Sequence, residues 1–571
     1  MKMRSFGLVL VWAGLVAALG NSVGQTAQKR AMTFADLMAM KRVSDPQISP
    51  SGKWVMFSVT DVSLEKNTKV NHLWVVALGG SAPEQQVTSN TGESFGRFSP
   101  DGKFVSYTGS PTKDDPVSRI TIATWDEATG TIGVGRTLKA VSGDADGAIW
   151  SPDSKHFLFT TDVYPECSDK ATWAEEDACD AAKDTAADKS PVKGQVWDAL
   201  LYRHWDHYVG AKRSHILEAD FSLDGANPRD LTPRSAVGDV EVPTYFVGGA
   251  QDYVWAPDSK EIAYVAKLDP VPAASTNNDV FTLRLDEPGA KAVKVSTSPG
   301  SDDEPEYSPD GKWLAFRSQA RGGFESDKFR LMVMDRETKA IKDLMPKFDN
   351  WVDEFIWAPD SKELYFASGM SGAANIFRYS LVDKTLTIQT RGVRGFEMSE
   401  DSSMFRSEPD LGEYSDIHVS SDGNFLVAGM VSMRAPTEIV SLKVEDREEG
   451  NDTGQRVARR VSDGSESTIR NVLLVESRIT HLNDRTFTVL DVPKVEPFWF
   501  TGAEGTKVEG FILRPPGFDP AKKYPVKFLM HGGPQTAWGD AWSYRWNWEG
   551  MWWWGSTGAG RRGMGRSSWM R

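Results

Sequence analysis

Only two cysteines and eight histidines occur in 571 residues. Two thiols cannot supply a four-ligand structural metal site or a disulfide framework, and neither stands beside a histidine at finger-like spacing. An excess of positive charge is also missing. Lys plus Arg number 65 against 79 Asp plus Glu, a formal net charge of −14, which argues against a general binder of nucleic-acid backbones. Beyond the N-terminus no apolar run is long enough to span a bilayer. With 40% hydrophobic and 25% charged residues, the chain is neither collagen-like nor mostly disordered. Its length suits two or three domains, or one large repetitive domain plus a second.

Residues 1–24 read as an export signal. Lys2 and Arg4 precede an uncharged apolar run from Phe6 to Leu19, and small residues follow at Ala18, Gly20, Ser22 and Gly24. The run is shorter than the roughly 20 apolar residues of a membrane span. The expected mature chain begins within residues 21–28 and is periplasmic or extracellular, with no stable membrane span after signal removal. Cys167 and Cys179, twelve apart in a polar segment, are disulfide candidates in such an oxidising compartment; two unlinked thiols are the competing reading.

One short pattern recurs: an aromatic or apolar residue, then Ser/Ala-Pro-Asp/Ser-Gly/Ser-Lys, then apolar residues. It stands at Ser49–Trp54, Phe98–Phe104, Trp150–Lys155, Trp255–Lys260, Tyr307–Lys312 and Trp357–Lys362, with a weaker copy lacking the proline at Val419–Asn424. Proline-to-proline steps are 50, 52, 105, 52 and 50 residues, and the next, to Ser421, is 62. A period near 50 belongs to solenoids or propellers. Pro presets φ for the second turn position, and Asp with Gly or Ser completes the turn. Alternating runs such as Trp54–Val59 follow, and further strands are legible at His72–Val76, Arg330–Met334 and Asn375–Tyr379.

Each unit therefore reads as a four-stranded sheet whose two apolar faces need neighbours on both sides, the arrangement of a β-propeller. Seven copies imply about seven blades over residues 43–490. The step of 105 residues holds either an eighth blade or an insertion, and the polar segment 163–195, which contains both cysteines, favours insertion. Segment 441–470, also polar, reads as a long hairpin or mobile loop. Trp150, Trp255 and Trp357 share one repeat position and belong to an inter-blade core. Asp101, Asp153, Asp258, Asp310 and Asp360 are turn residues rather than paired catalytic acids.

From residue 496 the pattern changes. Phe498–Phe500, Val508–Arg514 and Tyr524–Met530 read as strands, the last running into His531-Gly532-Gly533-Pro534. A buried strand ending in a Gly-Gly turn delivers backbone N–H groups to an oxyanion. The repeats followed by this block resemble the prolyl oligopeptidase family (S9) of serine peptidases, on its secreted dipeptidyl-peptidase and acylaminoacyl-peptidase branch. The resemblance rests on His204-Trp205-Asp206, Lys212–His215, His531–Gln535, Trp538-Gly539-Asp540 and Trp542–Asn547, and covers residues 40–547. It implies a propeller capping an α/β-hydrolase domain, a Ser, Asp, His triad, short peptides as substrates, and no metal or cofactor. It also places the oxyanion hole beside His531, Gly532 and Gly533.

No Gly-x-Ser-x-Gly follows His531 within the remaining 40 residues, and no Asp or His completes a triad. Residues 496–547 are thus expected to be the start of a hydrolase domain, and residues 548–571 an aberrant Trp/Gly/Arg-rich tail that fits neither strand nor helix. The expected fold is mainly β, a seven-bladed β-propeller followed by an incomplete α/β-hydrolase domain. The expected product is truncated or frame-shifted and catalytically incomplete, the alternative being a non-enzymatic propeller that binds or scaffolds. Ser567 and Ser568 have no sheet before them and no acid or histidine after them. His531 follows a buried strand, which argues for an orienting or backbone role. His204, His207 and His215 with Asp206 are read as packing and hydrogen-bonding residues rather than metal ligands. The sequence carries no signature of oligomeric state.

Overall fold

The repeated proline turn builds every blade in the same way. The computed structural model describes residues 29–90, 92–110, 112–113, 115–198, 200–204, 207–221, 227–244, 252–370, 372–390, 412–447, 459–460, 471–530, 537–544 and 552–557. The expected export signal lies outside them. In all seven turns the fourth residue donates its N–H to the carbonyl of the first, from Gly52 on Ser49 to Gly423 on Ser420. That fourth residue is left-handed: Gly52, Gly102, Gly311 and Gly423 at φ 70 to 73°, and Ser154, Ser259 and Ser361 at φ 58 to 60°. The turn aspartate accepts the N–H two residues on, at 3.2 Å from Lys103 and 2.9 Å from Lys362. The turn serine accepts the N–H that opens the next strand, at 2.9 Å from both Phe104 and Trp313.

Each turn joins the first and second strands of an antiparallel blade. The blades span 42–86, 93–137, 146–230, 253–294, 302–343, 354–388 and 413–478. Among the described residues there is no eighth blade sheet. The long step is blade 3 carrying an insertion between His156–Val163 and Arg213–Asp220, which still pair residue for residue. A short helix α1 (Phe34–Ala39) precedes blade 1, and the insertion contains α2 (Trp173–Lys189). Thr172 caps α2, and two acidic residues occupy its first turn, a start signal the compositional reading passed over. Cys167 and Cys179 are disulfide-bonded, with Cα atoms 5.7 Å apart, and tie α2 to the loop before it. The polar stretch 441–470 is flanked by Ala435–Arg447 and Asn471–Arg478, which pair antiparallel as far as Arg447 and Asn471.

The first strands of successive blades touch one another and so ring the axis. Tryptophan indoles stitch the blades. Trp150, Trp255 and Trp357 are buried, and each donates its N–H at 3.2 Å to the first strand of the preceding blade, on Arg97, Ile149 and Glu306 carbonyls. A second device closes the third strands. Where the short fourth strand stops, a Ser or Thr hydroxyl accepts the otherwise orphaned N–H: Leu73 on Thr88, Ile216 on Thr232, Val280 on Ser296, Ile376 on Thr390 and Ile439 on Thr480, at 2.8 to 3.3 Å.

Among the described residues no strand is exchanged at the ring's closure, since blades 1 and 7 are each built from neighbouring strands; a single bridge, Arg30 to Leu490, joins the segments that flank them. Closure is by apolar packing of Val43, Val55, Phe57 and Val59 against Val427, Ile439 and Ile479. Blades 6 and 7 are instead joined through backbone: Ala374 pairs in parallel with Glu413, and the strand Arg459–Arg460 adds to the outer edge of blade 6 at Thr385 and Leu386.

Beyond the ring lies a second sheet of β1 (Val495–Thr501), β2 (Lys507–Leu513), β3 (Val526–Met530) and β4 (Trp552–Thr557), in the order β1-β2-β4-β3. β1, β2 and β4 are antiparallel neighbours, while β3 and β4 are parallel. This is the opening of a mixed α/β sheet. The Trp552–Thr557 run corrects the expectation that the tail fits no strand. Its composition lacks apolar alternation, but the slot between β2 and β3 offers backbone partners on both sides, and residues 531–551 are long enough for a parallel crossover. β3 lies at the sheet's edge with Val526, Phe528 and Met530 exposed.

Candidate functional site

The Gly-Gly turn expected to face an oxyanion, His531, Gly532 and Gly533, lies outside the described residues, but both its flanks are placed. β3 ends at Met530 and points the chain into it. On the other flank, Trp538, Gly539, Asp540, Trp542 and Tyr544 dock on the propeller.

Asp540 is the centre of that docking. It is 5% exposed, and its carboxylate accepts the N–H of Gly412 at 2.9 Å and of Met433 at 2.7 Å, both in blade 7 or at its start. Its own N–H donates to the Gly372 carbonyl in blade 6 at 2.6 Å. One side chain thus grips two blades through charge-assisted bonds. Close approach explains the neighbouring glycines. A Cβ at Gly539 would fall on the Glu413 carboxylate, and one at left-handed Gly372 would fall on the Phe511 ring of β2.

Apolar contacts complete the junction. Val495, Phe511 and Leu513 of the second sheet pack with Met433 of blade 7, joined by Leu529 and Trp538. Trp542 meets Phe487 edge-on at 5.8 Å. The Arg42 guanidinium lies 4.1 Å from the centre of the Tyr544 ring, and burial pushes the Tyr544 phenol up to about 12. On β2, Glu509 is 1% exposed, and burial raises its carboxyl to about 7.

The first strands carry acids toward the axis. In five blades they bulge around a left-handed residue: Asp45, Phe95, Gly147, Glu304 and Asp416. Carboxylates of one blade cap bulges of the next. The Glu304 N–H donates to Asp252 at 3.2 Å, and the Asp416 carboxylate accepts from the Asp45 backbone. Arg97 pairs with Asp45 at 2.9 Å, and Arg317 pairs with Asp303 and Glu304, each at 2.9 Å. Burial raises the carboxyl of Glu354 to about 8 and that of Asp252 to about 7. These acids were missed in the sequence because they obey no contiguous motif; their spacing is that of the repeat itself.

Histidine–carboxylate pairs exist, but none forms a nucleophile relay. His72 faces Glu93, His215 faces Asp230, His156 faces Asp220 and His481 faces Asp484. Among the described residues none of these rings is bonded to a serine, threonine or cysteine. His204 and His207 sit opposite each other in a two-residue strand pair, with Trp205 and Asp206 outside the described residues; His215 is buried in blade 3 against Asp230.

No family model matches the chain. Dipeptidyl-peptidase 5 of Porphyromonas gingivalis is 27% identical over 535 residues, which cover 93% of this chain and 67% of that protein. Dipeptidyl-peptidase 5 of Porphyromonas endodontalis is 26% identical over 530 residues, covering 92% and 66%. Both relatives are dipeptidyl-peptidases, and the chain is similar to them along nearly its whole length. Dipeptidyl-peptidase 5 of Trichophyton schoenleinii is 26% identical over 385 residues, 64% of this chain and 47% of that protein. The fold agrees: Pyrococcus horikoshii acylaminoacyl peptidase superposes with a TM-score of 0.62 at 14% identity, over 92% of this chain and 66% of that one. This chain thus spans about two thirds of its bacterial relatives and about half of the fungal one. The junction just described is where the propeller and the second sheet meet.

Proposed function

We propose that these 571 residues form the propeller and leading peptidase strands of an exported serine peptidase acting on short peptides, of dipeptidyl-peptidase or acylaminoacyl-peptidase type. The observation that carries the reading is the docking of Trp538-Gly539-Asp540 onto blades 6 and 7, beside a sheet that opens in mixed α/β order. On this reading the propeller restricts access to the peptidase face, and the backbone of His531 to Gly533 lies beside the oxyanion. The nucleophile, its acid and its base are not among these residues, so this polypeptide alone does not turn over peptides.

A fluorophosphonate probe tests the reading, because it reacts only with a serine activated by its base. The purified chain is expected to stay unlabelled and to release no chromophore from dipeptidyl or N-acyl-aminoacyl anilides. Efficient labelling of any serine within it would overturn the assignment of an incomplete triad.

A further inference from the structure

The residue just before each hydroxyl-capped N–H of the third strands is polar in all five blades that use the device: His72, His215, Asp279, Asn375 and Glu438. His72 Nδ1 lies 3.2 Å from Glu93, and His215 Nδ1 lies 2.7 Å from Asp230. Asn375 and Glu438 accept from the Thr390 and Thr480 hydroxyls at 3.0 and 2.5 Å. In the seam between blades 1 and 2, the partner Glu93 opens the first strand of blade 2, two residues before left-handed Phe95. In the seam between blades 4 and 5, Asp302 opens the first strand of blade 5, two residues before left-handed Glu304. Equivalent positions therefore hold a histidine against a glutamate in one seam, and Asp279 against Asp302 in the other.

Glu93 is satisfied by His72 and by the Asn90 N–H at 3.0 Å. Asp302 is 0% exposed, and neither of its carboxylate oxygens has a well-formed hydrogen bond. Only the Ser296 and Ser318 hydroxyls come within reach of it, and each has a competing acceptor. Ser296 donates to Asp279 Oδ1 at 2.9 Å while accepting the Val280 N–H. Ser318 accepts from Arg330 at 2.9 Å and points its hydrogen toward the Gln319 carbonyl. Asp279 is held on its other oxygen by Lys294 at 2.7 Å and Asn277 at 3.2 Å. The side-chain oxygens of Asn277 and Asn278 also lack a donor, and the Asn278 carbonyl accepts the Asp302 N–H at 2.9 Å. Burial, with Asp279 adding, pushes the Asp302 carboxyl up to about 7.

A buried carboxylate served at most by two shared hydroxyls, and facing a second carboxylate, costs several kcal/mol unless its charge is met. We propose that the seam between blades 4 and 5 binds one hard cation, Ca²⁺ or Na⁺, on the Asp302 and Asp279 carboxylates, with the Ser296 hydroxyl and Asn278 amide oxygens completing the set. The donors are all oxygen, which excludes soft thiolate-seeking metals. Two carboxylates against Lys294 leave one negative charge, so the site is expected to be weak, with a Kd of about 10⁻⁴ to 10⁻³ M for Ca²⁺. The bound ion ties blade 4 to blade 5, as the His72–Glu93 pair ties blade 1 to blade 2.

Thermal unfolding of the full chain after chelator treatment tests this at neutral pH. Millimolar CaCl₂, or NaCl set against choline chloride at equal ionic strength, is expected to raise the midpoint by about 2–4 °C. The arm that gives the shift identifies the ion. Asp302→Asn is expected to abolish the shift, and Ser296→Ala to weaken it should the first variant fold poorly. A wild-type chain indifferent to both cations would overturn the proposal; if its stability then rose on acidification through neutrality, and did so only with Asp302 intact, the charge would be met by a proton. A cation shift that survives in both variants would overturn it equally.

Discussion

The two seams flanking blade 7 are built on different principles. Toward blade 6 the contact is backbone: a parallel pair at Ala374 and Glu413, an added strand at Thr385 and Leu386, and the Asp540 carboxylate gripping both blades. Toward blade 1 the contact is side chain: an apolar cluster around Phe57 and Ile439, with polar stitches such as the Ser421 hydroxyl on the Pro50 carbonyl at 2.9 Å. Hydrogen-bonded seams fail bond by bond, whereas packed seams fail when a cavity opens. The segment 537–544 is anchored on the first kind through Asp540, and its Tyr544 ring also reaches Arg42 of blade 1.

The sharpest way to break this contrast is Phe57→Ala. Phe57 is 0% exposed in the closing cluster, and its truncation is expected to cost about 3–5 kcal/mol in urea unfolding. Phe366→Ala, equally buried within blade 6, should cost the same globally. Only the first should speed hydrogen exchange across blades 1 and 7 before global unfolding. Equal local exchange in both variants would mean that the closing seam is no looser than the rest. Asp540→Ala comes next, at about 2–3 kcal/mol, because it strands two buried N–H groups. Exchange at the Gly412 and Met433 amides should rise together; if only one rises, the aspartate does not grip as a unit.

Acidity separates the seams more gently. Burial raises the Asp416 carboxyl, with Asp45 across the closing seam adding to it, and burial raises Glu354 to about 8. Carboxyls raised in the folded state contribute stability fully below their ordinary values near 4, and that contribution is lost as pH climbs through the folded values. His418, bonded to Gln47 at 3.0 Å, runs the other way. Burial lowers it to about 4, so its contribution is present above its ordinary value and is lost as pH falls through 4. The melting midpoint is expected to peak at about pH 5–6 and to fall by pH 8, with the alkaline fall flattened in Glu354→Gln. A midpoint still rising at pH 8 would contradict these assignments.

Smaller still is Trp255→Phe. It removes one inter-blade hydrogen bond to the Ile149 carbonyl and should cost about 1–2 kcal/mol. The least effect belongs to Ser259→Gly. Left-handed Ser259 is strained at φ 58°, but its hydroxyl accepts the Asp153 N–H of the preceding blade at 3.1 Å. Relief and loss should nearly cancel, within about 0.5 kcal/mol. A clear gain in stability would show that the hydroxyl contributes nothing across that seam.

Much of the ring was legible because its turns are local. Proline, aspartate and glycine do their work within a handful of residues, so six copies announce the blades without knowledge of what they pack against. The tryptophans were readable for the same reason, being pinned to one repeat position. What stayed hidden depends on partners far along the chain. Nothing near Ser154, Ser259 or Ser361 says that serine replaces glycine there because the preceding blade offers it an amide to hold. Thr88 and Thr480 look like ordinary strand-end residues until the short fourth strand leaves an N–H for them. At the candidate site, Trp538-Gly539-Asp540 could be noticed, but the grip of Asp540 on residues 372, 412 and 433 is invisible without the fold. The strand at Trp552–Thr557 escaped because its register comes from neighbours rather than from its own alternation.

Because no blade strand among the described residues crosses the joint between blades 7 and 1, the circle has no privileged first blade. Its gene order can in principle be rotated, with old ends fused and new ones cut elsewhere, without unpicking a sheet. The joint between blades 6 and 7 is the exception, since a cut there would separate the two surfaces that Asp540 holds together.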